Sequence, residues 1–176
     1  MDAGLHHLQS QAEFVTAAQL LDFLQEFYRE TLELVQARQV NARSITDYNA
    51  NNGYQQVLGR QDVHLRWLSD AIDAVGGAPS SPGLAQEDAV TAAPSDVSAL
   101  ILADERNQRA FLERWIPRIP NVSNARHRKL LELILGEMNE HLRVLEQSRE
   151  GRIDMLGHQA KGKVERGEVM ASRPKN

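Results

Sequence analysis

Residues 54–75 read YQQVLGRQDVHLRWLSDAIDAV. Along this stretch Val57, Gln61, His64, Leu68, Ile72 and Val75 follow one another at steps of three and four, the spacing that puts side chains on one face of an α-helix. The stretch predicts an amphipathic helix with Gln61 and His64 one turn apart on its inward face. Gly76-Gly77 follows, and glycine accepts the left-handed turn on which helices commonly stop.

Glycine and proline are sparse within 16–46, 96–116 and 124–150, and each of these stretches carries its own heptad-like stripe. The first reads Leu20, Phe23, Phe27, Glu30, Leu34, Ala37; the third Ile101, Glu105, Gln108, Leu112, Trp115; the fourth Leu131, Ile134, Met138, His141, Leu145. No stretch alternates with period two. The fold class is therefore all-α, a four-helix bundle. Ser123 or Asn124 is placed to cap the last helix after Pro117 and Pro120.

Connection lengths set the topology. The segments Thr46–Gly53 and Pro117–Asn124 are short and favour antiparallel hairpins, whereas Gly76 to Asp96 carries Pro79, Pro82, Gly83 and Pro94. A helix of 22 residues is about 33 Å long, and an extended connection of about 21 residues outruns it. Two antiparallel hairpins joined by a long crossover are expected. The domain spans 16–150, after an amino-terminal segment 1–15 and before a carboxy-terminal extension 151–176 that loses apolar periodicity and reads as a flexible tail.

Composition narrows the chemistry. The chain has 176 residues, 41% hydrophobic and 25% charged, enough for one domain with a real core. It has no cysteine, which excludes disulfides, thiolate metal ligation and cysteine nucleophiles. With 20 Lys and Arg against 24 Asp and Glu, nothing electrostatic favours nucleic acid or an anionic membrane as partner. No secretory leader or apolar spanning run is read, so a cytoplasmic location is expected. Leu5, Phe14 and Val15 could support a homo-oligomer. No phosphate loop, G-x-S-x-G or H-E-x-x-H occurs.

An internal repeat points to a site. His64-Leu65-Arg66-Trp67-Leu68 and His141-Leu142-Arg143-Val144-Leu145 share H-L-R-x-L, and Glu30 precedes Gln61 by 31 residues as Glu105 precedes Met138 by 33. Hairpins related by a pseudo-twofold axis would bring Glu30, His64, Glu105 and His141 toward one centre. On these residues the chain resembles the ferritin-like superfamily, the group of bacterioferritin and rubrerythrin, over residues 16–150. That resemblance implies a Glu from one helix of each hairpin and a Glu-x-x-His from the other, holding two irons or manganeses. Glu30 and Glu105 match the single glutamates and His64 and His141 the histidines, but Gln61 and Met138 stand where the motif has glutamate.

Two carboxylates neutralise one divalent ion, not two, so the implied cofactor is a single Fe or Mn ion, with Gln61 or Glu137 completing the shell. The resemblance implies oxidative chemistry on that ion. The other expectation is a metal-free, degenerate bundle in which inward Glu and His bond to one another and to Gln61 and Gln108, serving as a binding or assembly module. Tyr28, Trp67 and Trp115 are read as packing residues, His6 and His7 as a solvated pair, and the basic run Arg126, His127, Arg128, Lys129 as a solvated face.

Overall fold

The computed structural model describes residues 17–79 and 96–151. Four helices account for most of them: α1 (Ala17–Ala42), α2 (Tyr48–Ala74), α3 (Val97–Trp115) and α4 (Ala125–Arg149), with a 3-10 turn over Ile116–Asn121. There is no strand among the described residues. The amino-terminal segment 1–15, the residues 80–95 of the expected crossover and the extension from 152 onward lie outside the described residues, as do His6 and His7.

The starts of α2, α3 and α4 are each closed by a side chain of the kind that satisfies free amides. Asp47 accepts from the Ala50 amide at 2.8 Å, Asp96 from Ser98 at 2.9 Å and Asn124 from His127 at 3.1 Å. The Asp47 cap explains why α2 begins six residues before the expected start at residue 54. Gly53, read as part of a linker, is instead a buried position inside the helix.

At the other end of α2, Gly77 N–H donates to the Ile72 carbonyl and Gly76 N–H to that of Asp73, both at 3.0 Å, while Gly76 adopts φ +82°. This left-handed residue is the reason the helix stops there. Gly76→Ala is expected to cost about 1–2 kcal/mol, the penalty of a Cβ in that conformation. Urea unfolding of the two chains measures it, and an unchanged midpoint would mean that the turn does not need the glycine.

Residue pairs give the helix directions. Gln25 bonds Ala78 and Arg38 bonds Gln61, so α1 and α2 are antiparallel. Phe27 meets Phe111 while Asn41 meets Asp104, so α1 and α3 are antiparallel. Gln108 reaches Met138 and Arg149 reaches Glu105 across α3 and α4. Arg60 meets Glu137, and Ala71 meets His127, across α2 and α4. All four neighbouring pairs are antiparallel, which leaves α2 and α3 pointing the same way on opposite corners.

The core has two apolar clusters. One is built around Phe27, Leu68, Phe111, Trp115, Leu131 and Met138, the other around Val35, Tyr54, Leu58, Ile101 and Leu145. Trp115 stands edge-on to Phe23 and Phe27 with ring centres 5.2 and 4.8 Å away, a favoured aromatic geometry. Tyr28 and Trp67 pack against the first cluster. On α2 between Leu58 and Leu68, and on α3 between Ile101 and Phe111, buried positions turn polar: Gln61, His64, Asp104, Glu105 and Gln108.

The stripes expected for α2, α3 and α4 face the interior, but that of α1 is turned. Its buried residues are Leu20, Leu24, Phe27, Thr31, Val35, Arg38 and Ala42. The expected line through Phe23, Glu30, Leu34 and Ala37 lies to one side. Rotating α1 by about one residue, roughly 100°, removes Glu30 from the centre and puts Arg38 there.

Candidate functional site

Arg38 is 0% exposed. One guanidinium nitrogen donates to Gln61 Oε1 at 2.7 Å and the other to Gln108 Oε1 at 3.0 Å. Gln108 Nε2 in turn donates to the Met138 carbonyl at 3.0 Å. Three helices thus converge on one cation, and a fourth contributes a backbone oxygen. Burying an unpaired charge costs several kcal/mol. Its electrostatic counterweight is Asp104, itself only 2% exposed.

Asp104 is held on both oxygens, by Asn41 Nδ2 at 2.9 Å and the Tyr54 hydroxyl at 3.0 Å. Burial pushes its carboxyl pKa up, against the pull of Arg38 and of these hydrogen bonds. Burial likewise raises the Tyr54 phenol, with Asp104 adding to the effect, so the phenol remains a donor. Arg38, Gln61, Gln108, Asp104, Tyr54 and Asn41 form one polar cluster crossing the bundle. Arg38 Nε and Gln61 Nε2 are buried in it without a hydrogen-bond partner among the described residues.

The six expected metal residues divide into groups. His64, Glu137 and His141 come together: His64 Nε2 lies 2.6 Å from Glu137 Oε2, and the two imidazoles stack at 5.8 Å with planes 23° apart. Arg60 donates to both Glu137 oxygens and lies over the Trp67 ring. Its hydrogen bond holds the Glu137 pKa at about 2, well below the ordinary carboxylate, despite partial burial. Burial, helped by His64 and Arg38, lowers His141 to about 4. Both imidazoles are lowered by burial and so are neutral at pH 7.

Glu30 and Glu105 do not join them, which corrects the expected convergence. Glu30 accepts from Trp115 Nε1 at 2.7 Å and pairs with Arg114 at 3.0 Å on the α1–α3 side. Glu105 pairs with Arg109 at 3.3 Å and Arg149 at 2.9 Å on the α3–α4 side. Gln61, the third expected ligand outside the histidine group, spends its oxygen on Arg38.

This donor set does not fit a carboxylate-held iron or manganese centre. Each glutamate already has a cationic partner, the amide oxygens point at a guanidinium, and a positive charge occupies the middle of the bundle, where a second cation would be repelled. Among the described residues no group of three or more His, Asp or Glu is arranged to hold a metal ion. Sequence reasoning missed Arg38, Asp104, Tyr54 and Asn41. Arg38 does fall in line with Leu24, Phe27, Thr31, Val35 and Ala42 at steps of three and four, but spacing alone gives no reason to admit a charge to an apolar stripe.

Comparison of the chain with protein-family models, with curated proteins and with solved structures gives no match. No described helix is long and apolar enough to cross a membrane.

Proposed function

We propose that this chain is a ferritin-like four-helix bundle that works without a metal, as a binding or assembly module, with Arg38 as the permanent cation of its interior. The observation that carries the reading is the placement of the Arg38 guanidinium between Gln61 and Gln108. In the parent motif the residue at position 61 is a glutamate that ligates metal; here an amide oxygen accepts from an arginine. An arginine cannot lose its proton at any physiological pH, so the centre keeps one positive charge without a redox-active ion.

The antiparallel pairs α1–α2 and α3–α4, and the parallel α2 and α3, support the ferritin-like part of the proposal. The glutamates at 30 and 105, turned onto Arg114 and onto Arg109 and Arg149, support the loss of oxidative chemistry. The test is the metal content of protein purified from cells grown with added iron and manganese, together with thermal unfolding in chelator. Substoichiometric metal and an unchanged midpoint are expected. One tightly held Fe or Mn per chain, with a chelator-induced loss of stability, would overturn the reading, since ligand binding to the native state must raise the midpoint.

A further inference from the structure

At one end of the α2–α4 seam lies a recess of about 350 Å³, within the range of small-molecule sites. Its apolar wall is Trp67, Ala71, Leu130 and Leu133. Leu133 is 49% exposed, so a ligand here would cover apolar surface now facing water. Two charges of opposite sign stand on the rim, Asp70 from α2 and Arg126 from α4. Neither has an ion-pair partner among the described residues.

His127, 7% exposed, completes the wall. Its Nδ1 is buried with no hydrogen-bond partner among the described residues. Arg126, also on the rim, offers a guanidinium that suits a carboxylate.

We propose that this recess binds a small zwitterion with an apolar body, of the class of the apolar α-amino acids. The carboxylate goes to Arg126, the ammonium to Asp70, and the apolar side chain lies against Trp67 and Leu133. The site shares no residue with the Arg38 cluster, so it stands or falls separately from the metal-free reading.

The probe is L-phenylalanine, titrated into the full chain and followed by calorimetry and by the indole N–H resonance of Trp67. Saturable binding with a dissociation constant of about 1 mM or tighter is expected. L-phenylalanine amide, which lacks the carboxylate, and N-acetyl-L-phenylalanine, which lacks the ammonium, should each bind about fivefold more weakly, the scale of one partly exposed ion pair. Arg126→Gln should abolish the discrimination against the amide, and Asp70→Asn that against the acetylated form. Both side chains are exposed, so neither change threatens the fold. Absence of saturation at about 20 mM, or equal binding of all three compounds to all three chains, overturns the proposal.

Discussion

Replacing Arg38 with methionine is expected to destabilise the bundle by about 3–5 kcal/mol, the loss typical of removing one partner from a buried charged network. The side chain is fully buried and its hydrocarbon stem is matched by methionine, so the change mainly removes the guanidinium. Three groups are then stranded. Among the described residues Gln61 then keeps no hydrogen bond, because its Nε2 has no partner there even in the parent. Gln108 loses the donor to its oxygen while keeping its bond to Met138. Asp104 loses its compensating cation and retains only Asn41 and Tyr54.

A second change separates these losses. Gln61→Leu added to Arg38→Met removes the stranded amide, so the double variant should be more stable than Arg38→Met alone by about 1–2 kcal/mol, the penalty of one unsatisfied buried polar group. In the parent background Gln61→Leu should destabilise, since it deprives Arg38 of an acceptor. Urea unfolding of the four chains closes the cycle. If Arg38→Met unfolds within about 1 kcal/mol of the parent, the arginine does not organise the core.

The cycle also bears on why the centre could not be anticipated in full. The all-α class and three of the four inward faces were legible, because Leu68, Ile72, Leu112, Leu131 and Leu145 recur with helical spacing and glycine and proline interrupt the chain between them. A cap at Ser123 or Asn124 and a stop at Gly76-Gly77 followed from local backbone chemistry, and the structure uses Asn124 and Gly76. The face of α1 was not legible, for a definite reason. Two lines of apolar residues run along it, through Phe23 and Leu34 and through Leu24 and Val35. Choosing the second means admitting Arg38 to the core, which hydrophobicity alone forbids. Only partners from other helices, Gln61, Gln108 and Asp104, make that arginine acceptable, and their meeting is a tertiary fact. The repeated H-L-R-x-L did bring His64 and His141 into contact. It carried no information on the glutamates, whose arginine partners lie elsewhere on α3 and at the end of α4.

The α2–α4 seam should make the protein acid-sensitive well above the pH at which carboxylates ordinarily titrate. His141 has its pKa held at about 4 by burial and by His64 and Arg38, whereas an unfolded histidine titrates near 6.5. As pH falls through 6.5 the unfolded chain gains a proton that the native chain does not, and stability drops until pH reaches about 4. This one group accounts for about 3 kcal/mol over that interval. His64, lowered by burial against the pull of Glu137, and His127, lowered by burial and Arg126, act in the same direction. Glu137 takes over lower down: Arg60 holds it near 2, so its contribution is present above about 4.5 and is lost as pH falls toward 2. Asp104 has the opposite sign, because burial raises its pKa and acid relieves the cost of its charge. From its place in the Arg38 cluster it acts against the histidines over the range in which it takes up its proton. Urea midpoints should therefore fall steadily from pH 7 to pH 4, and His141→Gln, neutral at every pH, should flatten that fall by about half. A midpoint that falls equally in the parent and in His141→Gln between pH 7 and pH 5 would show that His141 binds its proton equally well in the folded and unfolded chains, against the effect of burial, His64 and Arg38 on its ring.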